Sequence, residues 1–173
     1  AYPLLLSTAK VAGCLPDRLN EERNWLPVEQ AAQAVIEVAF SAPQAKDASS
    51  KTPVYHVLNP HHTPTWTEML QWLSSSKEGP NFEIVHPQEW LNRLEQALSE
   101  RDANHPSQAL LGLWKQAYGR EVNGENETKK NDDLSLFDVT RTKAASATMR
   151  ELKPLDRERM DKTWKWVNDT IEG

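Results

Sequence analysis

The stretch that most constrains this chain runs from Asn24 to Phe40, NWLPVEQAAQAVIEVAF. Its apolar residues Val28, Ala31, Ala32, Val35, Ile36, Ala39 and Phe40 recur at the i, i+3, i+4, i+7 spacing of a single helical face. Pro27 suits the start of such a helix, where a missing N–H costs nothing. Glu29 places negative charge near the positive end of the helix dipole. A helix of this pattern needs an apolar surface to lie on. The first question for the chain is therefore whether these residues supply that surface or a larger protein does.

At 173 residues the chain can bury the core of one ordinary domain and is short for two. A net charge of −5 with scattered Lys and Arg excludes the basic stripe that a nucleic-acid partner requires. The single cysteine, Cys14, excludes an internal disulfide and points to a cytoplasmic setting. No run approaches the roughly 18 apolar residues of a membrane span, and the opening AYPLLLSTAKVAGC lacks the basic start of a signal peptide. The chain starts without methionine inside a helical pattern, as an excised fragment would. Seven tryptophans imply large flat side chains in the core or around a cleft.

In chain order, Tyr2 to Val11 reads as a leucine-rich helix stopped by Gly13 and a Leu15-Pro16-Asp17 turn. Lys10 is read as a partner for a helix dipole, and Cys14 as a packing residue. A polar connection from Ser41 to Thr52 leads to Val54-Tyr55-His56-Val57-Leu58, a β-branched and aromatic run expected to form a strand that turns at Asn59-Pro60. Thr65-Trp66-Thr67-Glu68 is a capping box opening a helix with Trp66, Met69, Leu70 and Leu73 on one face. Phe82, Ile84 and Val85 suggest a second short strand. Pro87 opens a helix carrying Trp90, Leu91, Leu94 and Leu98, and a further helix from Pro106 to Gly119 carries Leu110, Leu113, Trp114 and Ala117. Residues 120–133, REVNGENETKKNDD, hold one apolar residue and read as an exposed flexible loop. A helix through Ala144 to Leu152 follows. The last helix is capped by Asp156 and buries Met160, Trp164, Val167 and Ile171, leaving Trp166 off the stripe.

The residues that would make a self-contained active site do not assemble in this sequence. The six glycines are spread out, with neither G-x-G-x-x-G nor a P-loop to bring backbone N–H groups to a phosphate. His56, His61 and His62 invite a metal, but no cysteine or carboxylate stands at ligand spacing, so no metal is expected. There is no G-x-S-x-G. The Asn126-Glu127-Thr128 and Asn168-Asp169-Thr170 triplets match glycosylation acceptors only at the level of chance.

The segments YPLLLSTAKVAGCLPD, WLPVEQAAQAVIEVA, VYHVLNPHHTPTWTEMLQWL, FEIVHPQEWLNRL and FDVTRTKAASATMRELKPLD resemble, in order and over nearly the whole chain, one family. They look like the C-terminal part of the thioester reductase domains of fungal non-ribosomal-peptide-synthetase-like enzymes and polyketide synthases. Glu29 stands where that family often has aspartate. The resemblance implies an extended short-chain dehydrogenase fold. In it an upstream Rossmann lobe of the same polypeptide binds NADPH, and a mainly helical C-terminal lobe, mixed α/β with two or three short strands, faces the substrate. The reaction it implies is reductive release of an acyl thioester from a carrier protein's phosphopantetheine arm, as an aldehyde or an alcohol. The glycine-rich loop and the Tyr-x-x-x-Lys pair that the resemblance calls for are absent; Tyr2 is followed four residues later by Leu6. This chain alone is thus expected to bind no cofactor and to be inactive. Leu5, Leu6, Trp90 and Trp114 are the expected walls of the acyl pocket, and the helices around Trp90 and Trp114 the expected carrier-docking surface. The rival reading is a non-catalytic helical docking module for a carrier protein or neighbouring domain.

Overall fold

The computed structural model describes residues 2–18, 25–41, 53–100, 105–119 and 137–171. The expected loop at 120–133, the first glycosylation-like triplet and most of the Ser41–Thr52 connection lie outside them. The chain forms two compact units. One comprises Ala1–Glu21, Pro64–Glu127 and Leu155–Gly173, the other Glu22–Thr63 and Thr128–Pro154. The backbone is predominantly helical with a single small sheet among the described residues.

The first unit is built around α1 (Tyr2–Ala12), which packs against β1 (Cys14–Pro16) and later helices of the same unit. Gly13 joins α1 to β1 with φ at 65°, a conformation that costs an L side chain energy and glycine little. Its N–H donates to Ala9 O, ending the helix as a glycine C-cap does. A helix of the second unit, α2 (Val28–Ser41), intervenes in the chain before α3 (Trp66–Ser74). The Thr65 side chain accepts from the Glu68 N–H and the Glu68 carboxylate accepts from the Thr65 N–H, as the capping box predicts. β2 (Glu83–Val85) runs parallel to β1, with Cys14 opposite Glu83, Leu15 opposite Ile84 and Pro16 opposite Val85. β2 was expected from Phe82-Ile84-Val85; β1 was not. Leu15-Pro16 reads locally as a turn because proline lacks the ladder N–H. Pro16 is tolerated as the terminal residue of a three-residue strand, after which the Asp17 N–H donates to Val85 O.

α4 (Pro87–Glu100) presents Trp90, Leu91, Leu94 and Leu98 to the core, as their spacing predicts. The helix expected from Pro106 begins as a 3₁₀ segment (Pro106–Leu110), capped by His105, and becomes α5 at Leu111–Tyr118. Within it Trp114 is buried but Leu113 is 54% exposed. The final helix, α8 (Arg157–Thr170), is capped by Asp156 and buries Met160, Trp164 and Val167. Trp166 stands off that stripe with 51% of its surface exposed. Lys10 donates to the carbonyl of Asn168 at 2.5 Å, so the cation meets the negative end of α8.

The second unit contains α2 (Val28–Ser41), α6 (Thr140–Ala145) and α7 (Ala147–Arg150). One helix through Leu152 was expected where α6 and α7 stand. Ser146 breaks it by adopting an extended backbone, φ −126° and ψ 121°, from which its hydroxyl caps α7 by accepting from the Met149 N–H. The expected strand Val54–Leu58 does not form. Among the described residues it pairs with no strand; instead the His56 carbonyl accepts from the Thr142 hydroxyl at 2.9 Å. A β-branched run without a ladder neighbour does not become a sheet.

The orientation of α2 reverses the expectation drawn from its pattern. Its core-facing residue is Ala34, packed with Met149 and Leu152 and bordered by Leu26 and Val57. Val28, Val35, Ile36 and Phe40, the residues expected to seek an apolar surface, are 80%, 56%, 50% and 88% exposed. The inward side is a narrow one, with Ala34 flanked by half-buried Ala31 and Val38, and Glu37 is anchored at its edge. Its carboxylate accepts from the Ser146 hydroxyl at 2.6 Å, the Thr148 N–H at 3.0 Å and the Thr148 hydroxyl at 2.8 Å. Hydrogen bonds to a charged acceptor are among the stronger ones. They fix the rotation of α2 about its own axis.

Candidate functional site

The four residues expected to line an acyl pocket converge in the first unit. Leu5 and Leu6 come from α1, Trp90 from α4 and Trp114 from α5. The Trp90 and Trp114 rings lie 5.2 Å apart at 59°, and Tyr118 meets Trp90 edge-on at 5.8 Å, separations at which aromatic pairs attract. Inside this cluster the Trp90 indole N–H donates to Thr8 Oγ1 at 2.9 Å, and the Thr8 hydroxyl donates to Leu5 O at 2.6 Å. Leu5, Leu6, Thr8, Trp90 and Trp114 are all buried. Among them Trp90 is the residue that meets the others, through its ring contact with Trp114 and its hydrogen bond to Thr8. Thr8, invisible as a site residue in the sequence, is the polar centre of the group. Its only signal is a hydroxyl one turn from Leu4-Leu5 on the buried side of a leucine-rich helix.

Cys14 is also fully buried, at the start of β1. Burial pushes its thiol up from the ordinary value, only partly opposed by the nearby Arg93 guanidinium. The arrangement suppresses thiolate formation and suits a packing residue. Arg93 itself bridges Glu89 and Glu83, each at 2.7 Å, on the surface where such pairs contribute little.

The histidines hold turns. The His61 ring contacts Leu152 O at 2.7 Å, while the Asn59 side chain accepts from the His61 N–H and donates to Trp25 O. His56 stacks at a tilt on Phe137. Trp66 is the buried helix entrance expected of it, donating its indole N–H to Pro16 O at 2.8 Å. No group of three metal-ligating side chains gathers among the described residues.

A nicotinamide dinucleotide does not fit the residues described. Such a cofactor needs free N–H groups and close backbone approach where a strand enters a helix. The one strand that leads directly into a helix here is β2, through Val85-His86-Pro87. There Pro87 withholds an N–H, no glycine is present, and Glu89 puts negative charge in the first helical turn.

The chain is similar to segments of several fungal enzymes. It is 29% identical over 155 residues to the non-reducing polyketide synthase pkdA of Emericella nidulans, a match covering 89% of this chain and 6% of that protein. It is 27% identical over 169 residues to a carboxylic acid reductase of Neurospora crassa, covering 94% of this chain and 15% of the relative. A third relative is the adenylate-forming reductase Nps11 of Serpula lacrymans, 25% identical over 91% of this chain and 15% of that protein. The chain thus spans only a small part of the curated relatives it matches. No family model matches it, and no solved structure does. The resemblance read from the sequence is borne out at this level. The chain is a relative of segments carried by fungal carboxylic acid reductases, adenylate-forming reductases and polyketide synthases. No helix among the described residues is long and apolar enough to cross a membrane.

Proposed function

We propose that this chain is the substrate- and carrier-facing lobe of an NADPH-dependent thioester reductase, within an extended short-chain dehydrogenase fold. In this reading an upstream Rossmann lobe of the same polypeptide carries the nucleotide. Together the two lobes reduce a carrier-bound acyl or peptidyl thioester to an aldehyde or alcohol. The observation that carries the reading is the match of about nine-tenths of the chain to two enzymes named as reductases and to a polyketide synthase. The predominantly helical backbone of the described residues agrees with such a lobe. Hydride transfer gains rate from positioning the thioester against the nicotinamide, and a lobe of packed helices can supply that orientation. Because their side chains are buried, Leu5, Leu6, Trp90 and Trp114 act as the packed body behind the acyl-binding wall. The phosphopantetheine-bearing carrier docks on the outer surface of α4 and α5.

The test extends the polypeptide toward its N-terminus and follows NADPH oxidation with a carrier-bound or coenzyme A thioester. Thioester-dependent oxidation by the extended protein, and none by the 173-residue chain, is the expected outcome. An extended protein that ignores every thioester but retains a carrier would instead support a non-catalytic docking module.

A further inference from the structure

α3 runs out into three consecutive serines, Ser74-Ser75-Ser76, followed by Lys77 and Glu78. The fold treats the three hydroxyls differently. Ser74 is half-buried and donates to Gln71 O, while Ser76 is buried and its oxygen accepts from the Glu78 N–H. Ser75 alone of the three is exposed, at the C-cap where the chain leaves the helix for a surface loop. Its hydroxyl hydrogen faces the carbonyls of Gln71 and Trp72, at 2.8 and 3.0 Å, and its oxygen accepts from the Arg157 guanidinium at 3.0 Å. Arg157 is the first residue of α8, which packs on α3 within the first unit. The fold therefore brings this cation to the serine from 82 positions away.

A neutral hydroxyl uses little of what a guanidinium offers, which is five N–H donors in a planar fork. The carboxylate of Asp161 stands 3.8 Å from Arg157, beyond hydrogen-bond range. A group with several anionic oxygens on Ser75 would engage the fork at two points, the strongest form of such a pair. Exposed Lys77, two residues on, adds positive charge to the same loop.

We propose that Ser75 is a phosphorylation site and that Arg157 receives the phosphate, tying the end of α3 to the start of α8. In the transfer the Ser75 Oγ bonds to the γ-phosphorus of ATP, the bond from that phosphorus to the bridging oxygen of ADP breaks, and the hydroxyl proton passes to the base of a protein kinase. The modified oxygen gives up its hydrogen bond to Gln71 O, but the Ser75 N–H still reaches that carbonyl at 3.3 Å. A dianion at the C-terminal end of a helix is otherwise misplaced, because the dipole is negative there. The guanidinium thus decides the sign of the effect: with it the phosphate stabilises the first unit, and without it the phosphate destabilises.

Two measurements on the 173-residue chain test this. In the first, the folded chain is incubated with Mg-ATP and a serine kinase that reads a carboxylate three residues after its target, as Glu78 stands to Ser75, and the products are mapped by peptide mass. Phosphate on Ser75, and none on the 74–76 segment of Ser75→Ala, is the expected result; phosphate on Ser74 or Ser76 instead, or none in this segment, overturns the proposal. In the second, phosphoserine is placed at position 75 during translation and thermal midpoints are compared with those of the unmodified chain. The phosphate raises the midpoint by about 2–4 °C, the size one strong pair gives in a chain of this length, and lowers it in the Arg157→Gln background. The same shift in both backgrounds, or a lower midpoint with Arg157 in place, shows that the guanidinium does not receive the phosphate and overturns the proposal.

Discussion

Replacing Thr8 by valine tests whether the body of the first unit is held by a specific polar contact as well as by apolar packing. Thr8→Val keeps the volume of the side chain and removes the oxygen that accepts the Trp90 N–H at 2.9 Å. Both residues are fully buried, so no water can replace the lost partner without opening the core. A buried donor left unsatisfied costs about 1–3 kcal/mol. Thr8→Ser keeps the acceptor and loses one buried methyl group, a cost of about 1 kcal/mol. Trp90→Phe removes the donor itself and also leaves unfilled space. Urea unfolding followed by circular dichroism gives these differences as midpoint shifts at unchanged slope. If the hydrogen bond carries the effect, Trp90→Phe costs about 1 kcal/mol less in the Thr8→Val background than in the native chain, a coupling of the size contacting residues show. Strict additivity of the two substitutions would refute the reasoning, because the contact would then contribute nothing beyond volume.

Gly79→Ala sets a new methyl group against the Asn168 amide and the fully buried Trp164 indole and is expected to cost at least about 1–3 kcal/mol by overpacking. Gly13→Ala meets no atom within 4 Å and should cost about 1–2 kcal/mol through its positive φ alone; denaturation midpoints of the two variants compare clash with strain. Glu37 is held far below its ordinary 4.5, at about 2, chiefly by the Ser146 hydroxyl and then by the Thr148 N–H and hydroxyl. Its stabilising contribution is therefore complete above pH 4.5 and is lost as pH falls from there toward 2, so the stability gap between native chain and Glu37→Gln should narrow over that window in acid titrations of unfolding. Cys14, buried and with its thiol pushed up, should react with a disulfide reagent at least about tenfold more slowly in the folded chain than in urea; equal rates would show that β1 opens freely.

Local chemistry was enough to read most of the helices. The capping box at Thr65, the proline at Pro87, the Asp156 cap and the 3.6-residue stripes of α3, α4 and α8 all report on interactions within a few residues. Those interactions act in any context that keeps the segment helical. Ser146 shows the boundary of this reading. A serine inside a helical pattern is neutral by propensity, and it became a break because its hydroxyl caps α7 and Glu37, 109 residues earlier, binds it from another helix.

The candidate site divides in the same way. Leu5, Leu6, Trp90 and Trp114 could be chosen from spacing and from the family resemblance, because apolar size is written in each residue. Their mutual burial around Thr8 could not, since a hydroxyl becomes the centre of a core only when α4 delivers an indole to it across 82 positions. By itself the sequence determined that α2 is a helix with one apolar side. Only the tertiary structure decided which side turns inward, because Ala34 finds Met149 and Leu152, and Glu37 finds its donors on Ser146 and Thr148, more than a hundred residues further along the chain.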